Sequence, residues 1–188
     1  DPFTGTGTFI TRILQLGIIN KNDLLRKYKE EIHANEIVLL AYYIAAVNIE
    51  NVFNEIYQKD FYPFEGISLT DTFQLHEEDA NEKLDLNMFP KNLDRVENLK
   101  KTPLTVIIGN PPYSTGQKSA NDNAQNHVYP RLNERIAKTY AKESNSNLKQ
   151  ALYDSYIKAF RWASDRVNDL ESAVIAFVTN GAWVDGNS

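Results

Sequence analysis

Residues 103–113 read PLTVIIGNPPY, an unbroken apolar run stopped by a glycine and two prolines. A strand without polar alternation is buried on both faces, which is the property of an inner strand of a parallel sheet. Working outward, 32-IHANEIV-38, 66-GISLTDTF-73 and 171-ESAVIAFVTNGAWV-184 read as further strands, the last with its exit loop. Helical patterns lie between them. In 8-TFITRILQLGII-19, Phe9, Ile10, Ile13 and Leu14 fall at helical spacing, 22-NDLLRKYKEE-31 continues as a second short helix, and 38-VLLAYYIAAVNIENVFNEIYQK-59 is long and apolar around most of its surface. Two more helices are expected over 129–143, with Pro130 in the first turn, and over 147–167 as one amphipathic rod. Residues 76–102, rich in Asp, Glu, Asn and Lys around an apolar knot at Leu86 to Phe89, read as a surface insertion, and 114–126 as a polar loop. The alternation specifies an α/β fold with a mostly parallel sheet covered on both faces. It divides into residues 1–75, an insertion at 76–103, and residues 104–188.

Bulk composition narrows the function. The 188 residues are 42% hydrophobic, enough for one domain with a sizeable core. There is no cysteine, and His33, His76 and His127 have no ligand spacing, so no metal is expected. No run is long enough for a membrane span and no signal peptide opens the chain, which places it in the cytoplasm. A net charge of -5 excludes the uniformly basic surface of a stand-alone nucleic-acid binder. A Gly-rich turn with no strand before it suggests a piece of a longer polypeptide.

In sheets of this class ligands sit beyond the carboxyl ends of the strands. The chemistry-bearing residues collect there. In 1-DPFTGTGTF-9, Gly5 and Gly7 allow a tight turn and close approach of a ligand to a helix N-terminus; Ile10 stands where a dinucleotide fingerprint has its third glycine, which leaves a nucleotide-like ligand in general. Glu36 and Asp71 end successive strands, where one carboxylate can accept from both ribose hydroxyls and the other from an adenine amine. At the end of the clearest strand, Pro111 and Pro112 stiffen the chain so that the Asn110 side chain and the Pro111 carbonyl aim at one donor. Tyr113 adds a flat face on which a base can stack.

On these residues the chain resembles the adenine-N6 DNA methyltransferases that use S-adenosylmethionine. DPFTGTGTF is similar to that family's cofactor loop, Glu36 in HANEI to its ribose-binding acid, Asp71 in LTDTF to its adenine-contacting acid, and NPPY to its catalytic tetrapeptide. The order, cofactor loop first, is that of the gamma arrangement. YPRLNERI, LYDSYIKAFRWASDRV and AVIAFVTNGAWVDG further resemble the methylase part of Type ISP restriction-modification enzymes, large polypeptides that also carry nuclease, helicase-like and target-recognition domains.

The resemblance implies a Rossmann-like class I methyltransferase fold, incomplete because its first strand and closing hairpin lie outside the sequence. It implies S-adenosylmethionine as cofactor, bound by Asp1, Pro2, Phe3, Gly5, Gly7, Glu36, Asp71, Thr72 and Phe73, with Trp162 near the pocket. Asn110, Pro111, Pro112 and Tyr113 would be catalytic, and double-stranded DNA with a flipped adenine the substrate. Lys118, Arg131, Arg135, Lys138 and Lys142 are either contacts to the DNA backbone or an ordinary solvated face. Methylation of a protein amide, and a non-catalytic nucleotide-binding module, stand as alternatives. Alone, the chain is expected to methylate DNA poorly.

Overall fold

The computed structural model describes residues 1–77, 90–113, 129–144, 149–179 and 181. The chain forms two compact units, Asp1–Leu75 with Lys83–Thr102, and His76–Glu82 with Pro103–Ser188.

The first unit is built on two short strands, β1 (Ala34–Glu36) and β2 (Ile67–Leu69), paired in parallel with Ala34 opposite Ile67 and Glu36 opposite Leu69. Both are buried throughout, as a strand covered on two faces must be. Helices α1 (Thr8–Gln15), α2 (Leu24–Glu30) and α3 (Leu39–Tyr57) supply the cover. Ile10 and Leu14 of α1, one turn apart, meet the stripe Ala45, Ile49 and Phe53 of α3, which repeats every four residues. Tyr28 of α2 stacks on Phe53 at 3.6 Å between ring centroids, and its hydroxyl donates to the Tyr62 carbonyl at 3.1 Å. A buried tyrosine thus contributes aromatic area without leaving its polar end unpaired. Burial, helped by the nearby Glu50 charge, pushes the Tyr28 hydroxyl far above its ordinary pKa.

The edges of this sheet are occupied in two ways. On the β1 side, the Asp1 N–H group donates to the His33 carbonyl at 2.8 Å, and the Asn35 N–H donates to the Asp1 carbonyl at 2.9 Å. That pair of bonds is one rung of a parallel ladder, so the chain enters running alongside β1. On the β2 side, helix α4 (Pro90–Lys101) takes the place of a strand. Its buried Asn92 accepts from the Leu69 N–H at 2.7 Å and donates to the Leu69 carbonyl at 2.9 Å. One side-chain amide thereby does what a backbone amide of a third strand would do. The polar composition of residues 76–102 predicts a surface insertion; residues 90–101 form this helix instead, closing the edge of β2.

In the second unit β3 (Val106–Gly109) and β4 (Val174–Phe177) pair in parallel, Val106 opposite Val174 and Gly109 opposite Phe177. Helices α5 (Pro130–Lys138), α6 (Tyr140–Glu143) and α7 (Ser155–Val167) form the connection. Phe160 of α7 meets Phe177 edge to face at 5.3 Å, and Ile107 is buried, whereas Val106, Val174 and Ala176 on the other face are exposed. Among the described residues of this unit, the helices cover the face that carries Ile107 and Phe177. The two expected long helices are each interrupted. After Lys138, Thr139 leaves the helix and its hydroxyl donates back to the Arg135 carbonyl at 2.7 Å. Before α7, a 3₁₀ turn at Lys149–Tyr153 ends at Asp154, whose carboxylate accepts from the Tyr156 N–H at 3.2 Å and starts a new helix. No described helix is long and apolar enough to cross a membrane.

Candidate functional site

In the first unit, Gly5 (φ 56) and Gly7 (φ 89) both occupy the left-handed region that only glycine adopts freely. They differ in surroundings. A Cβ on Gly7 would lie 3.2 Å from Cγ1 of Ile49, so this glycine lets α1 pack closely on α3. A Cβ on Gly5 would meet nothing within 4 Å, so that side of the turn is open space. The Gly5 N–H donates to Oε2 of Glu36 at 2.7 Å, and the Val38 N–H donates to Oε1 at 2.8 Å. Glu36, 9% exposed, therefore braces the turn against the start of α3. Each oxygen keeps one lone pair for a further donor.

Asp1 accepts from the Phe3 N–H through Oδ1 at 3.1 Å, while its buried Oδ2 has no partner among the described residues. Asp71 follows β2 by two residues, and its Oδ1 accepts from the Phe73 N–H at 2.9 Å, which turns the chain into a short 3₁₀ segment. Phe73 is buried and lies against Phe3 at 5.5 Å between ring centroids. Thr72 is also buried; its hydroxyl donates to the carbonyl of the buried Pro2 at 2.5 Å and accepts from Asn35 Nδ2 at 3.3 Å. The nine residues named for the cofactor are thus gathered in one unit at the ends of β1 and β2. Asn35, which tethers Thr72, was not foreseen, since an amide inside a strand carries no motif.

In the second unit, the tetrapeptide follows β3 directly. Asn110 is exposed, Pro111 is fully buried, Pro112 is exposed and Tyr113 is half-buried. The Tyr113 hydroxyl lies 3.0 Å from the Val178 carbonyl and 3.4 Å from Oδ1 of Asn110. One hydroxyl proton serves one of these, and the shorter contact favours Val178. Asn110 Oδ1 then retains its accepting capacity. The exit of β4 is in this way fastened to the exit of β3, a link that sequence spacing could not reveal. Residues 182–184 of the exit loop, and Lys118, lie outside the described residues.

The cations of α5 are largely engaged within the unit. Arg135 is paired with Asp165 at 2.8 Å, Arg161 joins the same carboxylate at 2.7 Å, Lys138 is paired with Glu134 at 2.5 Å, and Arg131 donates to the His76 carbonyl at 3.2 Å. The hydrogen bond to Asp165 holds the Arg135 guanidinium above its ordinary pKa. Glu77, unmarked in the sequence, accepts from the Arg131 and Leu132 N–H groups at 2.8 and 2.9 Å and so caps α5 from a distance. Trp162 is a core residue, 5% exposed, with its indole N–H unpartnered among the described residues. No described group of His, Asp or Glu could hold a metal ion.

No protein-family model matches the sequence, and no curated protein does. Solved structures are similar to it. The Type ISP restriction-modification enzyme LlaGI, determined as a nuclease-deletion mutant in complex with a DNA substrate mimic, is 50% identical over 98% of this chain, with a TM-score of 0.85. The ATP-dependent Type ISP restriction-modification enzyme LlaBIII bound to DNA is 46% identical over the whole chain, with a TM-score of 0.86. DrdV, in a cryo-electron-microscopy complex with DNA, is 38% identical over the whole chain, with a TM-score of 0.85. The chain spans 15, 13 and 18% of the length of these three proteins respectively. In sequence and fold it is therefore similar to one part of much longer proteins seen with DNA, two of them Type ISP restriction-modification enzymes.

Proposed function

We propose that this chain is the methylating part of a restriction-modification enzyme, transferring a methyl group from S-adenosylmethionine to the N6 amine of an adenine turned out of double-stranded DNA. The observation that carries the reading is the end of β3, where an exposed Asn110 is followed by a fully buried Pro111 and a tethered Tyr113. The adenine amine is a poor nucleophile because its lone pair is shared with the ring. Asn110 Oδ1 and the Pro111 carbonyl accept hydrogen bonds from its two N–H groups, which localises the lone pair and orients it; one of those protons leaves to solvent once the nitrogen carries the methyl group. Tyr113 holds the extruded base by stacking.

The residues of the first unit fit the methyl donor. The unpartnered Asp1 Oδ2 suits the ammonium of its methionine end, the spare lone pairs of Glu36 suit ribose hydroxyls, and the open side of Gly5 leaves room for the chain between them. Asp71 takes the adenine amine beside Phe73. When bound, the cofactor supplies an electrophilic methyl group, so neither metal nor covalent enzyme intermediate is required. The fold is then a class I methyltransferase fold, working within a longer polypeptide of the kind to which the chain is similar.

The test is transfer of labelled methyl from S-adenosylmethionine to DNA by the intact polypeptide. Asn110→Ala and Tyr113→Ala abolish labelling of adenine while calorimetry shows cofactor affinity largely retained. Unchanged labelling in either variant removes that residue's role, and label found in protein instead of DNA refutes the substrate.

A further inference from the structure

We infer that Tyr156, to which the sequence by itself assigns no role, is a positioning residue for Tyr113; the inference rests on the methyl-transfer reading above. Tyr156 sits in the first turn of α7 and is 7% exposed. Its own N–H donates to the Asp154 carboxylate that caps the helix, so ring and cap are fixed together. Its ring lies 6.0 Å from that of Tyr113, centroid to centroid, at 45°. Tyr113 is therefore held at three points: by the two prolines before it, by its hydroxyl on the Val178 carbonyl, and by the Tyr156 ring at its side.

That arrangement matters for a stacking residue. A half-buried tyrosine on an exposed loop loses rotamer freedom when a base lands on it, which weakens binding. A ring whose plane is already set by a rigid helix meets that cost during folding instead. Tyr156 touches no reacting atom in this account; it acts through Tyr113. The contact is between rings, so it depends on the aromatic side chain and not on the Tyr156 hydroxyl.

The experiment compares Tyr156→Phe and Tyr156→Leu in the intact polypeptide, using plain duplex DNA and duplex with 2-aminopurine at the methylated position. Tyr156→Phe behaves as the parent. Tyr156→Leu raises KM for DNA by about tenfold, the order expected for a weakened base stack. It also changes the 2-aminopurine emission of the complex, while cofactor affinity and melting temperature stay close to the parent. Parental KM and emission in Tyr156→Leu overturn the inference, as does equal damage in Tyr156→Phe. A joint fall of cofactor affinity, melting temperature and activity in Tyr156→Leu overturns it too, because that is the signature of a core residue only. Absence of methyl transfer in the parent refutes the broader reading, and this inference with it.

Discussion

Gly5 and Gly7 stand two residues apart with the same sign of φ, yet substitution by alanine has different consequences at the two sites. At Gly7 (φ 89), the left-handed conformation costs an L-residue about 1–2 kcal/mol. The new methyl also lies 3.2 and 3.3 Å from Cγ1 and Cδ1 of Ile49 and 3.4 Å from Cα of Ala45. Both neighbours are fully buried, so neither yields freely, and overpacking of this kind costs about 1–3 kcal/mol. Gly7→Ala is therefore destabilising by about 2–5 kcal/mol, or roughly 10 °C in Tm for a chain of this size. At Gly5 (φ 56) the methyl meets nothing, and the backbone cost is partly offset by the stiffer unfolded chain, leaving about 1 kcal/mol. Thermal unfolding of the chain followed by circular dichroism reads the first difference. Calorimetry with S-adenosylmethionine on the intact polypeptide reads the second: Gly5→Ala places its methyl in the open side of the turn and weakens binding by about tenfold or more. Equal losses of Tm at the two positions refute the packing argument. Normal cofactor binding by Gly5→Ala refutes the assignment of that open space to the ligand.

Asn92→Leu removes both partners of Leu69 on the edge of β2; loss of two buried backbone bonds costs about 2–4 kcal/mol and exposes the edge, so chemical unfolding shifts to lower denaturant and light scattering rises. Glu77→Ala leaves the first N–H groups of α5 without their acceptor, a cap worth about 1 kcal/mol, and hydrogen exchange at 131–138 accelerates ahead of the rest of its unit.

The strands and the motif residues at their ends were legible because both obey local rules: an apolar run, a breaker, a carboxylate or amide just after. β1, β2, β3 and β4 all lie within the stretches read as strands, and α1 and α3 follow their apolar spacing. What escaped is long-range and polar. Asn92 is an unremarkable letter in a charged segment until it closes the edge of β2 from 23 residues away. The break at Asp154 competes with a helical pattern that is apolar on both sides of it, and the cap prevails because its carboxylate satisfies an N–H that the helix itself cannot.

The motif residues also spend their polar groups on one another before any ligand arrives. Glu36 was read as a ribose acceptor, and its two oxygens already hold Gly5 and Val38. Thr72 belongs to the stretch similar to the cofactor site, and its hydroxyl fastens Pro2. Tyr113 was read as a stacking face, and its hydroxyl fastens Val178. Each can still serve a ligand, because a carboxylate oxygen has a second lone pair and a ring has a free face. The consequence is that Glu36→Gln is not a clean probe of ribose binding. Whichever oxygen becomes NH₂ faces a backbone N–H, donor against donor, so the turn loosens even without cofactor. Loss of binding in that variant mixes a missing acceptor with a displaced loop, whereas Gly5→Ala leaves the Glu36 brace in place and isolates the space the ligand needs.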